Sequence, residues 1–140
     1  MIKIILSSLA GLILLLPVAA PLQAASVVNP EMRVSVPFEF AAGDRILPAS
    51  DYTVQANPEL GIVVLVGEGQ RPLTLLTIRQ ESSSAPRRGK LVFRRYGGLF
   101  FLGEVWNQDN ATGQRLAPRA QEKELARKKL AEQILVVQVR

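Results

Sequence analysis

The sequence contains no cysteine and no histidine. Without cysteine there is no disulfide framework, no thiolate nucleophile and no sulfur ligand for zinc. Without histidine there is no imidazole to activate a serine or to shuttle protons near neutral pH. Aromatic residues are also few: one Trp, two Tyr and five Phe in 140 residues. Chemistry is left to carboxylates, hydroxyls, Lys and Arg. No motif among these assigns a catalytic, cofactor-binding or metal-ligating residue, so no cofactor is expected and the chain reads as a non-enzyme. Lys and Arg number 17 against 12 Asp and Glu, giving a net charge of +5. The length suits one domain, which can bury about two-thirds of its unfolded surface.

The first residues pattern as a targeting segment. Met1-Ile2-Lys3 carries one positive charge, and Ile4 to Leu16 is apolar apart from Ser7, Ser8 and Gly11. Pro17 breaks the run, and small residues follow at Ala24-Ala25. Charged start, short apolar stretch and small-residue exit are the parts of a secretory signal peptide. The stretch is shorter than the ~20 residues a bilayer span needs. The reading is a signal peptide over 1–24, cut after Ala24 or next best after Ala25. A single β-rich domain over 25–140 is then exported to the periplasm or medium. No Cys follows the apolar run, so no lipid anchor is expected.

The rest of the chain reads mainly as strands. Arg33 to Phe40 alternates, with Val34, Val36, Phe38 and Phe40 on one face. Pro37 lacks a donor, which predicts an edge strand or a bulge. Ala42-Gly43-Asp44 and Leu47 to Asp51 read as turns, and Tyr52 to Gln55 starts another strand. Ile62 to Val66 is a short β-branched run between Gly61 and Gly67. Leu73 to Arg79 reads as one further strand, and Ser82 to Pro86 as a polar loop.

Gly97-Gly98 between Lys90–Tyr96 and Leu99–Trp106 is a hairpin signal, taken as a type I′ turn with positive φ at both glycines. A two-residue turn pairs Tyr96 with Leu99. It places Phe93, Arg95, Phe100, Leu102, Glu104 and Trp106 on one face and Arg94, Tyr96, Phe101 and Val105 on the other. Asn107 to Gly113 reads as a loop. Pro118 opens a helix to about Gln133, with Ala120, Ala126, Leu130, Ala131 and Ile134 on its apolar side and Leu125 off it. Ile134 to Val139 closes the chain as a strand. The expected fold is an antiparallel β-sandwich or half-open barrel of seven or eight strands. One C-terminal helix precedes the last strand and covers an open end or edge of the sheet.

Several segments in order resemble a family of short, exported bacterial β-proteins. They are Val36-Pro37-Phe38-Glu39-Phe40, Leu47 to Val54, Lys90 to Gly97, Phe101 to Trp106, and Glu122-Lys123-Glu124-Leu125-Ala126-Arg127. The resemblance spans nearly all of the chain after the leader. It implies export and a β fold; the family carries no established reaction. Relatives place a Ser where Arg119 stands, so here the helix is expected to start without a side-chain cap.

Two candidate surfaces emerge. Glu104 and Trp106, with Phe100 beside them, are possible ligand contacts, since a carboxylate beside an indole suits a sugar; a core Trp with a rim Glu is the plainer reading. Glycoside hydrolysis needs a carboxylate pair, drawn here from Glu39, Asp44, Asp51 or Glu104 with no motif linking any two. Arg87, Arg88, Lys90, Arg94 and Arg95 form the densest basic cluster and Lys123, Arg127, Lys128 and Lys129 a second. These are possible contacts to an anionic envelope surface, against a plainer reading as solvated faces. Nucleic acid is not an expected partner, because no recognition motif is present. Asn107, Asp109 and Ala111 lack the ligand set of a calcium loop. The leading functional expectation is a binding or structural module of the cell envelope. The second is a carrier of a small apolar ligand inside a barrel, and the third a carbohydrate-active enzyme.

Overall fold

Strand formation follows the apolar alternation, and proline and glycine decide where the strands break. The computed structural model describes residues 30–128 and 132–139. The expected leader and its cut at Ala24 or Ala25 lie outside the described residues. The elements are β1 Glu31–Val36, β2 Phe40–Ala42, β3 Arg45–Leu47, β4 Ser50–Asn57, β5 Ile62–Gly67 and β6 Leu73–Leu76. They continue as β7 Ile78–Glu81, β8 Lys90–Tyr96, β9 Leu99–Trp106, β10 Thr112–Arg115, α1 Ala120–Arg127 and β11 Glu132–Gln138. One sheet runs β1-β4-β5-β6 and the other β11-β8-β9-β10-β7, with the short β2–β3 hairpin set against β9. All pairings are antiparallel except the single bridge from β2 to β9. The architecture is an antiparallel β-sandwich with one helix before the last strand, and the described strands form no closed barrel.

Among the described residues there are eleven strands where seven or eight are expected, because runs that read as continuous are divided between sheets. Arg33 to Phe40 does not form one strand. β1 stops at Val36, and the chain crosses at Pro37 to enter β2 in the other sheet. β1 is an edge of its sheet, and Pro37 lies just beyond it. Leu73 to Arg79 likewise splits at Thr77, whose amide donates to Gly61 O at 2.8 Å. Its hydroxyl accepts from Gln114 Nε2 at 2.7 Å. β10 is not expected from the sequence: Thr112 and Gly113 fall in the loop read over Asn107 to Gly113, and Thr-Gly-Gln-Arg carries no apolar alternation.

The inner faces of the two sheets build the core. Met32, Val34, Val36, Tyr52, Val54, Val63, Leu65 and Leu75 come from the first sheet, and Phe40, Leu91, Phe93, Leu102 and Val105 from the second. Phe93 meets Phe38 and Phe40 edge-on, with centroids 5.0 and 5.2 Å away. Fully burying one such ring contributes on the order of 1.5–3 kcal/mol.

The central hairpin corrects two expectations. Tyr96 does pair with Leu99. Only Gly97 has positive φ, at 61°, so the turn follows the II′ pattern and not I′. The register then slips at Gly103: Phe93 faces Leu102 while Val92 faces Glu104. This bulge turns Val105 inward opposite Leu91 and sends Glu104 and Trp106 to the outer face. A one-residue slip inverts every later side chain. A Cβ on Gly103 would lie 3.0 Å from Arg94 Nη1 and 3.3 Å from Val92 O, which explains the glycine.

The helix is shorter than expected. It ends at Arg127, and Glu132 and Gln133 belong to β11. Ala120 and Ala126 are exposed, Ile134 lies in β11, and Leu130 and Ala131 fall outside the described residues. The inward side is instead Glu122 and Leu125. Leu125 packs on Ala41, Tyr96 and Phe101, so α1 covers part of the outer face of the second sheet and not an end or edge. Arg119 occupies the N-cap and gives no side-chain hydrogen bond.

Candidate functional surfaces

Arg94 and Glu122 form the most buried charged pair among the described residues. Their side chains are 14% and 3% exposed. The Arg94 Nε donates to Glu122 Oε1, and Nη2 reaches Glu122 Oε2 at 3.3 Å. The Tyr96 hydroxyl donates to Glu122 Oε1 at 3.5 Å. Arg94 is one of the residues expected from the sequence to meet an anionic surface; the structure turns it to Glu122 instead. The bulge at Gly103 opens a seat for its guanidinium, and Glu122 of α1 closes over it, so Arg94 holds the helix on the sheet. Burial raises the Tyr96 phenol above its ordinary value, and the charges of Glu122 and Glu132 add to the rise. Tyr52, whose hydroxyl donates to Pro48 O, is raised by burial as well, partly offset by a hydrogen bond from Gln70.

The rest of the basic cluster divides by strand face. Arg95 points opposite to Arg94: its Nε donates to Gly97 O at 2.6 Å, and its guanidinium sits 5.2 Å from the Phe100 ring centre. Lys90 leans over Trp106 at 5.8 Å. Arg87 and Arg88 lie exposed in the β7–β8 loop and, among the described residues, enter no ion pair. With Gly89, Gln108 and Val139 they line a concavity of about 320 Å³. Within the second cluster, Lys123 and Lys128 are exposed and Arg127 pairs with Glu124 at 3.1 Å. Lys129 lies outside the described residues.

The three possible ligand contacts are not brought together. Phe100 stacks on Phe38 at 4.0 Å on the inner side of the second sheet. Trp106 and Glu104 stand on the outer side, because of the bulge. The Trp106 ring is buried and lies against Gly113, where a Cβ would come within 2.5 Å of it. Its Nε1 donates to Glu104 Oε2 at 2.8 Å, and Gln80 Nε2 donates to Glu104 Oε1 at 3.3 Å. This ring offers no open face to a sugar. Glu104 is thus occupied, while Asp51 lines a different concavity with Arg33 and Glu68, and Glu39 a third beside Phe40 and Phe101. Asp44 sits in the β2–β3 turn.

The Asn107–Gly113 segment follows turn chemistry. Asp109 has φ 55° and donates its amide to Pro86 O at 2.8 Å, and Asn110 Oδ1 accepts from the Thr112 amide at 2.9 Å. Sequence reading missed a concavity of about 800 Å³ at this end of the sandwich, where Asn57, Pro58, Leu60, Asn107 and Asn110 converge. No group of three or more Asp or Glu among the described residues is placed to hold a metal ion.

No family model matches this chain, and no curated protein or solved structure is significantly similar to it.

Proposed function

We propose that this protein is an exported binding or structural module of the cell envelope that acts through its outer surfaces. The observation that carries the reading is the packing between the sheets. Tyr52, Phe40, Phe93, Leu65 and Leu91 fill that space and are all fully buried. An interior at ordinary protein density has no room for a guest of ligand size. That favours surface contact over carriage of an apolar ligand. Export itself rests on the signal-peptide pattern of residues 1–24.

Arg87 and Arg88 are the groups best placed to meet an anionic surface, since Arg94 is committed to Glu122. Sedimentation with vesicles containing anionic lipid, or with acidic polysaccharide, tests this. Binding is expected at low salt and should fall steeply by about 0.15 M, where the screening length is about 8 Å. Arg87→Glu with Arg88→Glu should abolish binding and leave the melting temperature unchanged. No binding at low salt, or binding untouched by both substitutions, rejects the anionic-surface reading.

A further inference from the structure

Of the four strands that end the two sheet paths, three carry devices that block edge pairing. β1 bears the exposed pair Glu31 and Arg33 and runs into Pro37. β6 is four residues long and follows Arg71-Pro72. β7 bears Arg79 and Glu81, joined at 2.7 Å. Charges, prolines and shortness are how sheets keep edges apart. β11 has none of these at its centre. Its middle reads Ile134-Leu135-Val136-Val137, and Ile134, Leu135 and Val136 are 61%, 38% and 46% exposed.

The hydrogen-bonding phase of β11 is fixed by its pairing with β8. The Val139 amide donates to Gly89 O at 2.9 Å, in line with the register that pairs Gln138 with Lys90. In an antiparallel pair, the amide and carbonyl of one residue point to the same side, and the side alternates along the strand. Val139, Val137, Leu135 and Gln133 therefore bond toward β8. Gln138, Val136, Ile134 and Glu132 direct their amides and carbonyls to the other side, where no described strand pairs with β11.

We propose that β11 pairs antiparallel with β11 of a second copy of this chain, centred on Leu135. This register sets Leu135 against Leu135, Ile134 against Val136 and Glu132 against Gln138 of the second copy. The outward-pointing residues then fall opposite each other and form about eight backbone hydrogen bonds. A shift by one residue would invert the faces, and a shift by two would set Glu132 against Val136. Charge complements the same register. Lys90, beside Gln138, lies two strands from Glu132 of the second copy, about 10 Å between Cα atoms, a span their two side chains cover. The contact occurs twice by symmetry, and among the described residues no like charges face one another. A strand that matches itself in pattern, phase and charge specifies a twofold partner.

Because the chain lacks cysteine, crosslinking reads the register directly. Leu135→Cys places two thiols opposite each other at the axis and should oxidise to a covalent dimer. Gln133→Cys places them about 13 Å apart and should not. In sedimentation velocity the purified protein should run as a dimer. Val136→Pro should run as a monomer with an unchanged circular dichroism spectrum, since it removes only an outward amide. A monomer at every concentration overturns the proposal, whatever other protein it then binds. So does a dimer in which Leu135→Cys crosslinks no better than Gln133→Cys. Should Val136→Pro fail to fold, the two cysteine variants decide alone.

Discussion

Replacing Glu122 with Ala should release α1 from the sheet while leaving the sandwich folded. The helix has eight residues, and an isolated helix below about 12–15 residues is marginal in water. Only Glu122 and Leu125 anchor it inward. Removing one member of a buried ion pair costs about 3–5 kcal/mol when the other charge stays buried. Arg94 need not stay buried, because undocking α1 returns its guanidinium to water. The loss of global stability is therefore capped by the docking free energy of α1 and should fall below that range, at about 1–3 kcal/mol. Urea unfolding measures the global loss, and amide exchange over 120–127 measures the undocking. Arg94→Met alone leaves Glu122 as the buried charge and should produce the same loss of exchange protection. The double variant Arg94→Met, Glu122→Leu removes both charges and should recover most of the stability and the protection, as apolar replacements of buried pairs commonly do. The reasoning is refuted if Glu122→Ala leaves exchange over 120–127 unchanged, or if the double variant is worse than both singles.

Gly97→Ala should cost about 1 kcal/mol, because Gly97 has φ 61°, whereas Gly98→Ala should stay within about 0.5 kcal/mol; thermal melts compare them, and equal losses contradict the II′ turn. Gly113→Ala drives a Cβ into the rigid Trp106 ring and should cost about 1–3 kcal/mol, with a shift in the emission of the only tryptophan. Both tyrosines have phenols raised above the ordinary value of 10. Their contribution to stability is complete below pH 10 and is lost as pH rises through the folded-state values. Phenolate absorbance of the folded protein should therefore rise at a higher pH than that of the urea-unfolded chain, and coincident titrations would contradict the burial of Tyr52 and Tyr96.

Local signals were legible in the sequence wherever one short stretch contained its own cause. The alternation of Arg33 to Val36 and the Gly97-Gly98 turn between two apolar runs placed strands correctly, although the run on to Phe40 divides at Pro37. What escaped depended on residues far apart in the chain. A glycine inside a strand run is the one local sign of a bulge at Gly103, but what it makes room for, Arg94, lies on the neighbouring strand. That single slip separated Phe100 from Glu104 and Trp106, and so dismantled the ligand site read from simple alternation. Nothing beside Glu122 in the sequence marks it as buried, because its partner Arg94 lies 28 positions away. β10 was invisible for a related reason. Gly113 sits there to admit the Trp106 ring, and Gln114 to donate to Asn57 O and Ile62 O across the sandwich. The basic cluster was visible as composition, but which arginines face solvent depended on strand faces and on the helix that covers one of them.

The claim that the protein works through its surfaces and not through an interior guest is tested most directly by native mass spectrometry of the protein purified from producing cells. The account predicts masses of bare chains beginning at Ala25 or Ser26, with no apolar molecule retained on gentle activation. A stoichiometric lipid or other apolar compound carried through purification would contradict it.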